Sequence, residues 1–307
     1  MKIELFPPLF IHEIGMRDNQ EDALWPEEVS AECRLFILCD GMGGHENGEV
    51  ASHLVSISIP LFLQRAGVLE DRLFTDEDLE SALEYAYQQL DREIKDVSRQ
   101  MGTTLAFLYI HKNGITAAHM GDSRIYHIRP NVGILYQSRD HSLASELYQA
   151  GEISYEEMLN YPKKNIVTRA MMPGMDNRTH PDIIHITDIM PGDYFYICSD
   201  GMLEQMNNDE LVRILSSDNA DEEKRRMLIE STKDNQDNHS AWILHIKGVV
   251  KEEGDDMLPN EELTARCNVV VSMPEIASDD DICEDDVVIV SDKKKSLFQR
   301  IMNIFNC

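Results

Sequence analysis

Two apolar runs that each end in Asp-Gly constrain this chain more than any other feature. Leu35-Phe36-Ile37-Leu38-Cys39 stops at Asp40-Gly41, and Tyr194-Phe195-Tyr196-Ile197-Cys198 stops at Ser199-Asp200-Gly201. Short unbroken apolar runs of this kind read as strands buried on both faces. A carboxylate at the end of a buried strand is placed to do chemistry. The glycines behind Asp40, at Gly41, Gly43 and Gly44, let the backbone approach a ligand and take φ > 0. One such run is as readily a strand followed by a Gly-rich turn. Two, each delivering a carboxylate and a flexible carbonyl, point to a shared metal site.

Further carboxylates stand at comparable places. Glu21 and Asp22 close the polar burst Arg17-Asp18-Asn19-Gln20-Glu21-Asp22, a weak metal signal alone. Asp122 ends the return strand of a hairpin, Thr103 to Ile110 and Ile115 to Met120. Asp237 precedes the strand-like Ala241 to Ile246. The set suits Mg²⁺ or Mn²⁺, hard ions that take carboxylates, backbone carbonyls and water. Zinc would want clustered His and Cys. Two such ions, about 3.5–4 Å apart, can hold a hydroxide for in-line attack, so the pattern implies metal-assisted hydrolysis of a charged ester.

The formal net charge of −28 argues against nucleic acid as a partner. Six cysteines without a CxxC pair read as reduced thiols of a cytoplasmic protein. No apolar run approaches the ~18 residues of a membrane span, and the N-terminus lacks a signal peptide's apolar region. Helices are expected over Gly48 to Arg65, from Thr75 to Val97, over Asp209 to Leu215 and over Asp221 to Thr232. Ile11 to Met16 reads as the first strand, and Ile153 to Arg178 as a polar, irregular flap. Beyond Gly248 acidic blocks such as Asp279-Asp280-Asp281 take over. Such blocks are usually disordered.

Taken together, RDNQEDA (Arg17–Ala23), DGMGGHENGEVAS (Asp40–Ser52), MGTTL (Met101–Leu105) and AHMGDSRIY (Ala118–Tyr126) resemble the bacterial form of the type 2C metal-dependent serine/threonine protein phosphatases. RDHS (Arg139–Ser142), AGEIS (Ala150–Ser154), KNIVTRA (Lys164–Ala170), CSDGMLEQM (Cys198–Met206) and DNHSAWIL (Asp237–Leu244) continue the match in the family's order, over roughly residues 10–247. The resemblance implies an α+β fold, a four-layer α-β-β-α sandwich of two antiparallel sheets flanked by helices. It implies that Asp40 bridges two ions, that Gly41 offers one of them its carbonyl, and that Asp200 and Asp237 hold the other. Asp22, with Glu21 beside it, would bind the metal–water shell. Asp122 matches the position of a third, weaker ion, and Arg17 the clamp on the substrate phosphate. Animal members carry a His directly after the first Asp-Gly as proposed general acid. Here that residue is Met42, as in many bacterial members. His45 reads as a surface-loop histidine, leaving protonation to metal-bound water.

The expected activity is hydrolysis of phosphoserine and phosphothreonine in proteins, by direct attack of a metal-bridging hydroxide on phosphorus. The partners would be phosphoproteins and an opposing serine/threonine kinase, a signal-transduction role. A catalytically weak phosphoprotein-binding relative and a small-molecule phosphatase on the same scaffold are the competing readings. The expected division is a catalytic domain at 1–247, a disordered acidic linker at 248–292 and a basic amphipathic helix at 293–307. In that last segment Leu297, Ile301, Ile304 and Phe305 share one helix face. Docking in cis or on a partner is favoured for it over an anionic membrane surface.

Overall fold

The computed structural model describes residues 1–43, 46–69, 73–93, 101–163, 166–175 and 177–250. His45, the end of the second expected helix and the whole segment from 251 lie outside the described residues. The chain divides into Met1–Asn268, which holds every described residue, and Val269–Cys307, which holds none.

The elements run β1 (Lys2–Leu5), β2 (Leu9–Glu13), β3 (Asp22–Trp25), β4 (Leu35–Met42), α1 (Glu46–Arg65), α2 (Asp76–Glu93), β5 (Gly102–Thr103), β6 (Leu105–His111), β7 (Gly114–Met120), β8 (Arg124–Arg129) and β9 (Gly133–Gln137). Then come α3 (Leu143–Gln149), α4 (Tyr155–Leu159), β10 (Asp182–Ile186), β11 (Tyr194–Cys198), a 3-10 turn at Asp200–Leu203, α5 (Asn208–Leu215), α6 (Asp221–Thr232) and β12 (His239–Val250). Three of these differ from expectation. The early strand is Leu9–Glu13, preceded by the unexpected β1. Ser154 and Glu157 form a capping box that starts α4 inside the supposedly irregular flap. The closing strand runs on to Val250, because Lys2 to Leu5 pair with it.

One antiparallel sheet has the order β1-β12-β11-β8-β9, with β2 also on β12. The other has the order β10-β7-β6-β4-β3, with β5 on β4. Residue parity along β4 shows how they stack, since successive side chains point to opposite faces. Leu35, Ile37 and Cys39 pack with Val55, Ile59 and Leu63 of α1 and Leu79, Leu83 and Leu90 of α2. Phe36 and Leu38 face the other way and pack with Phe195, Ile197, Trp242 and Leu244 of the second sheet. Beyond that sheet, Tyr126, Tyr196 and Ile243 meet Leu211, Ile214 and Leu215 of α5 and Leu228 of α6. The result is the expected α-β-β-α sandwich. Trp242 ties the sheets together: its ring meets Phe36 edge-on at 5.3 Å and its Nε1–H donates to the Ile37 carbonyl at 3.0 Å.

Candidate active site

The carboxylates come together at one end of the sandwich because strands of both sheets terminate there. On the first side, β3 and β4 pair antiparallel with Asp22 opposite Asp40. Two threonines hold the end of β4. The Asp40 amide donates to Thr104 Oγ1 at 2.9 Å, and Thr103 Oγ1 and the Thr104 amide both donate to the Asp40 carbonyl at 2.9 Å. Gly41 follows, pressed between α1 and the preceding loop. Its amide donates to the Glu21 carbonyl at 3.0 Å, and a Cβ here would lie 2.2 Å from the Gly48 carbonyl oxygen. Only glycine fits, so the Asp40–Gly41 backbone is held close against Glu21.

On the second side, Asp200 opens the 3-10 turn after β11, and Asp237 lies just before β12. Gly201 is again obligatory, since a Cβ would lie 2.0 Å from the Asn238 carbonyl oxygen. The Gly201 carbonyl accepts from Asn235 Nδ2 at 2.6 Å. Two side chains join the halves. Ser199 Oγ donates to Asp22 Oδ2 at 2.9 Å and accepts from the Ser240 amide at 3.0 Å. Asn238 Oδ1 accepts from the Glu21 amide at 2.7 Å, while its Nδ2 donates to the carbonyls of Ile14 and Asn19.

The charges confirm the convergence. Burial first, then the fields of Asp22, Asp200, Asp122 and Asp237, holds the Asp40 carboxyl well above the usual carboxylate range. Asp22 is pushed up to about 7 by burial, with Asp200 and Asp237 adding to it against hydrogen bonds from Ser240 and Ser199. Burial raises Asp122 to about 8, helped by Asp200 and Asp140, and raises Asp200 to about 6, helped by Asp237. Asp140 is itself matched by a bidentate pair with Arg124, at 2.6 and 2.7 Å. Arg17 lies at the rim, with Nη2 2.7 Å from Asp237 Oδ2, and its side chain is 56% exposed.

The eight residues expected at the site, Arg17, Glu21, Asp22, Asp40, Gly41, Asp122, Asp200 and Asp237, with the glycine as backbone, therefore share one neighbourhood. Glu21 differs from the aspartates. Its carbonyl is tied to Gly41 and Ser52, and its carboxylate lies where a Gly48 Cβ would stand, 2.7 Å from Oε2. Sequence reasoning missed Thr104, Ser199, Asn235 and Asn238, neutral residues that carry no chemical signature of their own. They do fall inside or beside the MGTTL, CSDG and DNHS stretches.

The donor set fits hard divalent ions. It is made of oxygen atoms, and the buried Asp22 Oδ1 has no hydrogen-bond partner. A buried carboxylate oxygen left unmatched is costly, and carboxylates that raise one another call for positive charge between them.

The family model for protein phosphatase 2C matches residues 15–242. The serine/threonine phosphatase stp of Listeria monocytogenes is 30% identical over 228 residues, 72% of this chain and 87% of that protein. The solved serine/threonine phosphatase of S. agalactiae superposes with a TM-score of 0.67 at 26% identity, covering 78% of this chain and 99% of that one. The catalytic domain of the phosphatase PstP, solved with two manganese ions, shares the fold with a TM-score of 0.66 at 24% identity over 80% of this chain and all of its own. A sandwich that gathers aspartates from both sheets, matched by family model, relatives and fold alike, makes this chain a bacterial member of the type 2C family of serine/threonine protein phosphatases.

Proposed function

We propose that the chain hydrolyses phosphoserine and phosphothreonine in proteins at a centre of two Mn²⁺ or Mg²⁺ ions, with Asp122 serving a third, weaker one. The observation that carries this is the convergence of Asp22, Asp40, Asp122 and Asp200, each raised by burial and by neighbouring carboxylates, with Asp237 among the charges that raise them. Asp40 and the Gly41 carbonyl would hold the pair of ions, Asp200 and Asp237 would complete the ligands of one of them, and Asp22 and Glu21 would hold the surrounding waters. Ions bound here would supply an ionised water near phosphorus and offset charge on the phosphoryl oxygens. Ser199 and Asn238 fix the carboxylates so that little reorganisation accompanies binding. Arg17 is the phosphate clamp, a fork suited to two phosphoryl oxygens. The half-buried Met42 has no proton to give the leaving alcohol, so the proton would have to come from water held in the site.

The catalytic unit spans the sandwich through Val250, which pairs with Lys2, so the boundary expected at 247 moves to the end of β12. The acidic linker and amphipathic docking segment expected beyond it lie outside the described residues. Among the described residues no helix is long and apolar enough to cross a membrane. A cytoplasmic place, opposing a serine/threonine kinase, accords with the free Cys33, Cys39 and Cys198. The test is hydrolysis of p-nitrophenyl phosphate and of a phosphothreonine peptide with Mn²⁺ and with EDTA. Turnover of both with Mn²⁺ and of neither with EDTA is expected. Turnover that persists in EDTA would sink the metal reading, and turnover of the small ester alone would sink the protein-phosphatase reading.

A further inference from the structure

His119, His141 and Asp182 form a second cluster, with ligand atoms within 4.8 Å of one another. It is not arranged for a metal. The two rings lie face to face, 4.6 Å apart and 9° from parallel, so their in-plane lone pairs lie in nearly parallel planes and do not meet at one ion. His141 is also fully engaged. Its Nδ1 accepts the Gly121 amide at 3.2 Å, which leaves the ring proton on Nε2, and Nε2 donates to Asp182 Oδ2 at 3.1 Å.

What the cluster holds is the turn that carries Asp122. Gly121 has φ +102°, and a Cβ there would lie 2.5 Å from Thr104 Cγ2, so this glycine is kept in a conformation that other residues resist. Both of its polar backbone atoms go to His141: the amide to Nδ1, and the carbonyl accepts from the His141 amide at 2.9 Å. The same histidine anchors the flap. Its carbonyl accepts from Thr168 N at 2.8 Å, and the next residue, Ser142, bridges to Val167. Asp182 is held in turn by Arg169 Nη1 at 2.8 Å.

We propose that His141 is a positioning residue for the phosphatase reaction: clamped by Asp182, its ring fixes the Gly121 turn and so aims the Asp122 carboxylate. This rests on the assignment of Asp122 to the weaker ion. It makes the flap and the weak-ion ligand one mechanical unit.

Two substitutions separate the ring's two contacts. His141→Asn places a carbonyl oxygen near the Nδ1 position and keeps an acceptor for Gly121. His141→Gln places an amide near the Nε2 position and keeps only the donor to Asp182. Melting temperature, calorimetric Mn²⁺ binding and Mn²⁺ dependence of p-nitrophenyl phosphate turnover are compared with those of Asp122→Ala. Both histidine variants should melt lower. His141→Gln should weaken the weak class of Mn²⁺ binding by roughly tenfold, as loss of an outer-shell partner does, while the tight class is kept and His141→Asn stays near wild type. If His141→Gln does not fold, His141→Ala, which likewise removes the acceptor for the Gly121 amide without adding bulk, should weaken the same class and takes its place. Equal Mn²⁺ dependence in the Asn and Gln variants would overturn the proposal and leave His141 a packing residue. If Asp122→Ala keeps the weak class, the assignment of Asp122 itself falls, and the role of His141 falls with it.

Discussion

Replacing Asp200 by Asn should make the metal-free protein more stable and at the same time abolish its response to metal. In the folded chain the Asp200 carboxyl sits at about 6 instead of its ordinary 3.8, through burial and then the charge of Asp237. At roughly 1.36 kcal/mol per tenfold change in proton affinity, keeping Asp200 ionised costs the native state about 3 kcal/mol. Because the folded-state value is the raised one, that cost is absent below pH 3.8 and complete above about 6. Asn removes it, less the hydrogen bond that Asp200 shares with Asp40. A net gain of about 2 kcal/mol corresponds to a melting temperature higher by about 4–8 °C for a domain of this size. Wild type, by contrast, should gain about 2.7 kcal/mol from Mn²⁺ at a hundred times its dissociation constant. Melting curves at pH 8 in EDTA and in Mn²⁺, alongside p-nitrophenyl phosphate turnover, read all three quantities. A variant that melts below wild type in EDTA, or that keeps the Mn²⁺ shift and the turnover, would refute the picture of a strained carboxylate cluster awaiting cations. The same reasoning gives the pH dependence of wild type. Asp200 at about 6, Asp22 at about 7 and Asp122 at about 8 are all raised, so the metal-free protein should lose stability as pH climbs from 5 to 8.

Arg17→Ala should lower kcat/KM for phosphopeptides by about ten- to a hundred-fold, the equivalent of a charge-assisted contact of roughly 1.5–3 kcal/mol. Its melting temperature in EDTA should hardly move, since an exposed pair such as Arg17–Asp237 contributes at most about 1 kcal/mol; unchanged kinetics with a large loss of stability would make Arg17 structural. A chain ending at Val250 keeps the whole of β12 and its pairing with β1. It should fold and turn over p-nitrophenyl phosphate, and failure on either count would make the segment from 251 part of the catalytic unit.

Much of the fold is legible because the strands are unambiguous. The run from Leu35 to Cys39 is apolar at every position, and it is buried on both faces, against α1 and α2 on one side and Trp242 on the other. The pairing of β1 with the end of β12 was not legible. It joins the two ends of the domain across Lys247 and Gly248, residues with no strand signal, and only tertiary structure brings them together. The short α4 escaped for a different reason. It buries none of its residues, so it shows no apolar stripe, and its capping box at Ser154 and Glu157 was its one local mark. At the site, carboxylates announce themselves by standing at strand ends. Ser199 and Asn238 do not, because a serine or an asparagine becomes informative only when the atoms it joins are known.

The Arg17–Asp237 pair joins the two roles proposed for its members. An ion that drew the Asp237 carboxylate to itself would release the Arg17 guanidinium in the same event, so metal loading and phosphate capture would be coupled. An exposed pair of this kind, worth at most about 1 kcal/mol, would make that coupling no more than about fivefold, a bias in the order of binding and not a gate.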